Sequence, residues 1–155
     1  MLTQGSESPA WTLTNQNGES VESTTLSGRQ VLIYFYPRAN TPGCTQQACL
    51  LEHIRGKLAE IEIIGISPDS PQVQHNFATK NGLGFDLLSD ADHSVAERFG
   101  VWKEKKNYGK VYMGIERSAF LIGADGRVER AWYKISPKDT PVKLLDALGE
   151  SDGNR

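Results

Sequence analysis

The sequence lacks several features that hold small proteins together or attach them to larger partners. Its 155 residues include only two cysteines, which excludes a disulfide-rich scaffold. Its formal net charge is −2, which argues against a nucleic-acid binder because such proteins carry a basic field. No apolar run is long enough to span a bilayer. Residues 1–7 have neither the basic region nor the apolar core of a secretion signal, so we expect a protein of the reducing cytoplasm that does not bind membranes.

The composition that is present is typical of a globular domain. Hydrophobic residues make up 38% of the chain and aromatic residues 8%, which is ordinary for a folded protein. A chain of this length can bury a core without the help of a metal ion or a disulfide. We therefore expect one domain over residues 1–150 and a polar tail over residues 151–155.

Strand and helix patterns alternate along the first half of the chain. The apolar runs Val31–Tyr36 and Ile61–Ile66 predict two buried strands. Between them, apolar residues spaced by three and four predict an amphipathic helix from Cys44 to about Glu60. Near the start of the chain, the turn signal Asn17–Gly18 predicts an N-terminal β-hairpin. This order is typical of a strand–helix–strand unit in an α/β protein.

The second half adds short elements and a further hairpin. The expected elements are a helix from Pro71 to Asn81, a strand over 85–88, a helix over 95–99, a hairpin of 118–122 with 128–133 and a helix over 141–148. Residues 102–113 are rich in lysine and glycine and predict a surface loop. Together these elements predict an α/β sandwich around a mixed sheet.

Both cysteines lie in the segment that joins the first buried strand to its helix. Cys44 follows a loop that contains Pro37, Pro42 and Gly43, at the point where the helix begins. A helix start presents unpaired backbone N–H groups and the positive end of the helix dipole. A cysteine placed there ionises more readily than a free one. We therefore interpret Cys44 as a thiolate nucleophile.

Cys49 belongs to the same helix but to another face. Five helical steps turn by ~500°, so Cys44 should face inward and Cys49 outward. The same geometry separates their Cα atoms by roughly 8.7 Å, whereas a disulfide needs about 4.4–6.8 Å. The two cysteines therefore cannot bond while the helix is intact. If they do bond, the first turns must unwind, and Pro42 and Gly43 make that end the easier one to move.

Two residues of the preceding loop have more than one interpretation. Thr41 can cap the helix, or its hydroxyl can point at a polar group bound beside the sulfur of Cys44. Pro37 can shield the thiolate from water, or it can simply end the strand. The spacing alone leaves both alternatives open.

The motif around these residues resembles that of a known family. The pattern Pro37-x-x-x-Thr41-x-x-Cys44 is similar to the active-site signature of peroxiredoxins. The fuller segment 35–49 resembles the Q-type subfamily, also called bacterioferritin comigratory proteins, and segments 88–90, 99–102 and 112–122 continue the likeness. The resemblance implies a thioredoxin-like α/β fold, with a central mixed sheet flanked by helices. It also implies an antioxidant thiol peroxidase that reduces hydrogen peroxide and organic hydroperoxides, with thioredoxin as the electron donor.

The resemblance also assigns residues to roles. It implies that Cys44 is the peroxidatic cysteine and Cys49 the resolving cysteine, which condenses with the Cys44 sulfenic acid to form an intramolecular disulfide. Thr41 and Arg117 would orient the peroxide and favour the thiolate, and Pro37 would screen the sulfur. No metal, haem or flavin is needed, because sulfur supplies the electrons. With both cysteines in one chain, we expect a monomer to complete the cycle.

The sequence departs from the family pattern at a few positions. Gln47 stands where an acid is usual, residues 50–53 replace a more aromatic and charged run, Ala119 replaces a common threonine and Gly123 a common aspartate. All the motif residues named above are kept. We therefore expect these departures to affect the rate, the helix stability and the docking surface, and to leave Arg117 and the other motif positions untouched.

Two other functions compete with this interpretation. Cys49 and His53 are four residues apart on a helix, as metal ligands can be, although one further thiol is all that lies nearby. A thioredoxin-fold disulfide carrier, or a redox-responsive binding protein without peroxidase turnover, would also use two cysteines. The usual oxidoreductase pair, however, has two intervening residues where this sequence has four. Zinc analysis tests the first alternative, and sustained peroxide consumption tests the second.

Overall fold

The computed structural model describes residues 1–58 and 60–151. The strands within these residues are β1 (Thr12–Asn15), β2 (Ser20–Glu22), β3 (Gln30–Phe35), β4 (Ile61–Ser67), β5 (Asp86–Ser89), β6 (Trp102–Asn107), β7 (Lys110–Ile115), β8 (Ser118–Ile122) and β9 (Val128–Trp132). The helices are α1 (Pro42–Arg55), α2 (Pro71–Asn81), α3 (Ser94–Phe99) and α4 (Asp139–Ser151), and a 3-10 turn spans Ser23–Leu26. Within the described residues, every helix is too short or too polar to cross a membrane.

Seven strands form one mixed sheet in the order β2-β1-β5-β4-β3-β8-β9. The central strands β3, β4 and β5 run parallel to one another, while β1, β2, β8 and β9 pair antiparallel. The predicted N-terminal hairpin is β1–β2, which extends the sheet beyond β5. The mixed sheet and the thioredoxin-like α/β class expected from the sequence are thus confirmed.

Strand β3 is apolar at nearly every position because both faces of the sheet are covered. Leu32 and Tyr34 belong to the core on the side that also holds residues of α1, α2 and α4. Val31 and Phe35 belong to the core on the opposite side, together with residues of α3. A strand buried on both faces is expected to be a continuous hydrophobic run, and this explains why β3 was recognisable from the sequence.

The expected loop over residues 102–113 is wrong, because this segment forms a separate β-hairpin. β6 and β7 pair antiparallel, with Trp102 opposite Ile115 and Asn107 opposite Lys110. The turn between them places Tyr108 at φ 52° and Gly109 at φ 78°, the two positive φ values that a tight hairpin turn requires. Because most of the ribbon is exposed, its strands carry lysines rather than the apolar alternation that marks a half-buried strand.

Several boundaries also differ from the sequence-based prediction. Helix α1 begins at Pro42 and ends at Arg55, so it is shorter at its C-terminal end than expected. Helix α4 starts two residues earlier than predicted and continues to Ser151. Residues 152–155 of the predicted polar tail lie outside the described residues. Helix α2 was predicted with its observed bounds, because Pro71 can begin a helix and Gly82 adopts the left-handed C-cap conformation that ends one.

Candidate active site

The loop between β3 and α1 is held by the end of the neighbouring strand. Asp69, just after β4, accepts a 2.7 Å hydrogen bond from the backbone N–H of Ala39. The same carboxylate oxygen accepts a 2.7 Å bond from the hydroxyl of Ser67. Because β3 and β4 are parallel neighbours, their carboxyl ends lie at the same edge of the sheet. The pairing of the two strands therefore positions the loop that leads into α1.

The two cysteines occupy the faces of α1 predicted from the helical period. Cys44 is 1% exposed and packs in the core, whereas Cys49 is exposed. Both are free thiols within an unbroken helix. The expectation that the helix is intact in the dithiol form is thus confirmed, and its loss in the disulfide form stays a prediction.

Arg117 reaches Cys44 through the strand register, not through proximity in sequence. Strand β8 pairs antiparallel with β3, and Ser118 lies opposite Phe35. The residue before β8 is therefore brought beside the loop that follows β3. The Arg117 guanidinium donates a hydrogen bond from Nη2 to Cys44 Sγ over 3.4 Å. This contact places a positive charge that cannot be neutralised at physiological pH against the sulfur.

Gly43 leaves the space that the guanidinium occupies. A Cβ atom at this position would lie 3.2 Å from Arg117 Nη2 and 3.5 Å from a side-chain carbon of Pro137. That first distance is tighter than ordinary van der Waals contact, so a larger residue would press on the guanidinium. Glycine at the helix start thus permits the close approach of Arg117 to Cys44.

The expectation that the departures from the family pattern leave Arg117 untouched is wrong for Gln47. This side chain is fully buried, and its Oε1 accepts a 2.7 Å hydrogen bond from Arg117 Nη1. Its Nε2 donates a 2.9 Å bond to the hydroxyl oxygen of Thr140. Thr140 in turn donates its hydroxyl hydrogen to the carbonyl of Ser136 over 2.9 Å. Because that hydrogen is committed to Ser136, the Gln47 amide must donate to Thr140 and present its oxygen to Arg117.

Sequence reasoning missed this chain of contacts, although the position of Gln47 could have been recovered from the sequence. Gln47 lies one turn after Cys44 on the same side of α1, so its nearness to the sulfur follows from the helical period. Thr140 lies 93 residues away from Gln47 and has no sequence pattern that marks it. Its position depends on how α4 packs against α1.

Thr41 and Pro37 both precede the first residue of α1, but their surroundings differ. Thr41 is the N-cap residue by its extended backbone, but its side chain makes no capping hydrogen bond. Its hydroxyl instead donates a 2.8 Å bond to the carbonyl of Arg38, so the capping alternative left open for Thr41 is not the one observed. Pro37 is half-buried directly after the end of β3 and the buried Tyr36. Their action on a bound peroxide stays a prediction.

Burial shifts the pKa values of other ionisable groups near the site toward their neutral forms. Burial lowers the pKa of Lys105 on β6, and the nearby Arg117 charge lowers this pKa further. Burial raises the pKa of Tyr36, whose hydroxyl donates to Gln74 Oε1. Burial also raises the pKa of Tyr34. Both tyrosines therefore remain protonated at neutral pH, and the charged side chain that contacts the sulfur is Arg117.

The metal-site alternative gains no further ligand in the described part of the chain. Among residues 1–58 and 60–151, no group of three or more His, Cys, Asp and Glu side chains is arranged to hold a metal ion. The Cys49 thiol lies against the side-chain oxygen of Asn81 at 3.8 Å.

Comparisons with known proteins point to one family. The model of the AhpC/TSA family matches residues 4–131. Peroxiredoxin Bcp of Escherichia coli strain K12 is 49% identical over 151 residues, which cover 96% of this chain and 97% of the relative. Peroxiredoxin Bcp of Bacillus subtilis strain 168 is 44% identical over 146 residues, with 93% of each chain covered.

Solved structures agree with these sequence matches. A cysteine-to-serine mutant of PrxQ from Xylella fastidiosa superposes with a TM-score of 0.92 at 26% identity, covering 98% of each chain. The bacterioferritin comigratory protein of Xanthomonas campestris, described for its alkyl peroxide reduction activity, superposes with a TM-score of 0.85 at 35% identity. It covers 91% of each chain.

Proposed function

Because the chain belongs to the AhpC/TSA family, and within it to the Q-type peroxiredoxins, which are thiol peroxidases, we propose that Cys44 is its peroxidatic cysteine and Cys49 its resolving cysteine. The substrates are hydrogen peroxide and organic hydroperoxides. The observation that carries the assignment is the 3.4 Å contact between Arg117 Nη2 and Cys44 Sγ. The Cys49 thiol lies instead against the neutral side-chain amide of Asn81, at 3.8 Å.

In the first step, the Cys44 thiolate attacks one oxygen of the hydroperoxide. A sulfur–oxygen bond forms and the oxygen–oxygen bond breaks, so Cys44 becomes a sulfenic acid while the leaving oxygen takes up a proton and departs as an alcohol or water. The guanidinium of Arg117 stabilises the thiolate before attack and the charge on the leaving oxygen during it. Thr41 orients the peroxide from the helix start, and Pro37 screens the sulfur from water.

In the second step, the Cys49 thiol condenses with the Cys44 sulfenic acid. The sulfur–sulfur bond forms and water leaves. Since both cysteines lie in the intact helix α1, with roughly 8.7 Å between Cα atoms in ideal geometry, this step needs local unwinding. A dithiol partner then restores both thiols by exchange, and we assign this role to thioredoxin. The cycle closes within one chain, so a monomer in the reducing cytoplasm suffices.

The test is peroxide consumption coupled to thioredoxin and its reductase, measured for the wild type, Cys44→Ser and Cys49→Ser. We expect both substitutions to abolish turnover. Cys49→Ser should still consume one equivalent of peroxide and accumulate a sulfenic acid that dimedone traps at Cys44. Sustained turnover in Cys44→Ser, or a wild type that exchanges disulfides but does not consume peroxide, would contradict the proposal. The second result would favour a disulfide carrier.

A further inference from the structure

The turn that follows α2 contacts the half of α1 that carries Cys49. We define this α2 turn as residues 81–84. The Cys49 thiol donates to Asn81 Oδ1 over 3.8 Å. Asn81 Nδ2 donates a 3.0 Å bond to the carbonyl of Phe77 within its own helix. The second bond fixes the orientation of the amide, so that its oxygen faces the thiol.

A stronger contact joins the same turn to α1 one helical turn further on. Glu52 Oε1 accepts a 2.7 Å hydrogen bond from the backbone N–H of Gly84. The Arg55 guanidinium donates to both oxygens of Glu52 over 3.0 and 3.1 Å. It also lies against Gly84, where an added Cβ atom would displace the guanidinium. Two residues of α1, Cys49 and Glu52, are thus tied directly to the α2 turn.

These ties oppose the movement that the resolving step requires. Cys49 can approach Cys44 only when α1 unwinds locally, and a Cys49 that leaves the helix must also leave Asn81. Glu52 lies three residues after Cys49, within the same helical turn, so its bond to Gly84 anchors the backbone next to the segment 44–49 that has to unwind.

We propose that the α2 turn is a latch on the resolving step, in which Asn81 and Glu52 hold the Cys49 half of α1 helical and so set the rate of disulfide formation. This inference rests on the proposed function of the two cysteines. Asn81 and Glu52 are positioning residues, because neither contacts the reacting sulfur of Cys44.

The latch decides between two fates of the Cys44 sulfenic acid. Condensation with the Cys49 thiol gives the disulfide and water. Reaction with a second hydroperoxide molecule gives a sulfinic acid and an alcohol or water, and thioredoxin-type dithiols do not reverse that product. A slower release of Cys49 gives the second reaction more time. The latch therefore sets the peroxide concentration at which the enzyme inactivates itself.

The test compares Asn81→Ala and Glu52→Ala with the wild type in a single turnover. Reduced protein is mixed with one equivalent of hydrogen peroxide, quenched with an alkylating agent, and assayed for disulfide by mass spectrometry. We expect each substitution to speed disulfide formation by about fivefold, the factor that one hydrogen bond of typical net strength contributes to a local equilibrium. The rate of sulfenic acid formation should not change. A disulfide rate that is unchanged or slower in both variants would overturn the latch.

Two further variants separate a latch from a general loss of stability. Asn76→Ala is the matched control, since this exposed α2 asparagine bonds to Gln72 on its own helix, and it should leave the disulfide rate unchanged. Glu52→Gln keeps an acceptor for the Gly84 N–H and should return the rate toward that of the wild type. In the dithiol form, amide hydrogen exchange over residues 45–55 should be faster in Asn81→Ala and Glu52→Ala. It should not be faster in Asn76→Ala or Glu52→Gln.

The same experiment distinguishes failure of the latch from failure of the proposed function. If the wild type forms no Cys44–Cys49 disulfide with peroxide, the proposed function fails. If the wild type forms it and the alanine variants form it no faster, the latch alone fails. Under excess peroxide, the latch predicts that both alanine variants accumulate less Cys44 sulfinic acid than the wild type.

Discussion

Arg117 donates a 2.7 Å hydrogen bond to the side-chain oxygen of Gln47 while it also reaches the sulfur of Cys44 at 3.4 Å. The acceptor is a neutral amide, so this contact orients the guanidinium without cancelling its charge. The amide is itself oriented by Thr140 on the last helix. The positive charge that faces the sulfur therefore depends on a buried contact that joins three parts of the chain.

Replacing Arg117 by methionine should slow the reaction of Cys44 with hydrogen peroxide by about 10²–10³-fold, as for loss of a donor that stabilises transition-state charge. Arg117→Lys should recover part of the rate, since it restores the charge but not the forked geometry. Stopped-flow measurement of the second-order rate constant checks this. Arg29→Met is the control, because Arg29 forms an exposed ion pair with Glu62, and a comparable loss there would contradict the assignment.

Replacing Gln47 by glutamate should place a carboxylate against Arg117 and weaken the field that the guanidinium exerts on the sulfur. We expect alkylation of Cys44 by iodoacetamide at neutral pH to slow by about tenfold, the lower end of what a charge at this range produces. The measurement is best made in a Cys49→Ser background. Gln46→Glu adds the same charge at the adjacent, exposed position. If the two glutamates slow alkylation equally, the effect is not specific to the Arg117 contact.

Replacing Thr140 by valine should remove the acceptor that orients Gln47 and leave a buried amide N–H group without its partner. An unpaired buried polar group costs about 1–3 kcal/mol, so the free energy of unfolding should fall by this amount. The peroxide rate should also fall, because Gln47 no longer holds Arg117 in one orientation. Urea denaturation and stopped-flow kinetics measure the two effects. Thr79→Val, at an exposed position of α2, should change neither, and a stability loss without a rate loss would refute the positioning role.

Glu52 should make the stability of the fold depend on acid pH. Burial would raise the pKa of Glu52, but hydrogen bonds from Arg55 and from the Gly84 N–H outweigh it and hold this pKa below its usual value. A carboxyl group with a lowered pKa stabilises the fold above its unfolded value of about 4.3 and loses that contribution as the pH falls through the folded value. The stability difference between the wild type and Glu52→Gln should therefore shrink as the pH falls below about 4.

Urea denaturation of both proteins over this pH range measures the effect. Glu104→Gln, at an exposed position of β6, is the control. Its free energy of unfolding should differ from that of the wild type by an amount that does not vary with pH. A wild-type advantage over Glu52→Gln that persists at the acid end of the range would contradict the prediction.

The parts of the fold that were predictable from the sequence are those where burial leaves a pattern. Strand β3 is apolar because both its faces are covered, and α1 shows the spacing of a helix with one buried side. The ribbon β6–β7 escaped prediction because its pairing depends on a tight turn and on backbone hydrogen bonds, not on a buried face. A surface segment was correctly expected here, although Lys103 and Lys105 are half-buried, but a surface position does not distinguish a loop from a ribbon.

The site was predictable to the extent that it lies on one helix. The inward direction of Cys44 and the outward direction of Cys49 follow from the helical period alone. Arg117 is 73 residues from Cys44 and was identified only through the family resemblance, since strand pairing brings it to the sulfur. The contact of Gln47 with Thr140 depends on the packing of α4 on α1, which neither periodicity nor motif describes.

The ribbon β6–β7 offers a place to attach a reporter. Its strands hydrogen-bond to each other outside the seven-stranded sheet, and the Tyr108 side chain at its tip is 99% exposed. Exposed turns of this kind accept inserted sequence with little effect on the rest of a fold. A fluorescent protein inserted between Tyr108 and Gly109 would lie on the same ribbon as Lys105. The pKa of Lys105 is lowered by burial and by the charge of Arg117. Such a fusion would carry its reporter on the ribbon and leave the strand pairing of the seven-stranded sheet intact.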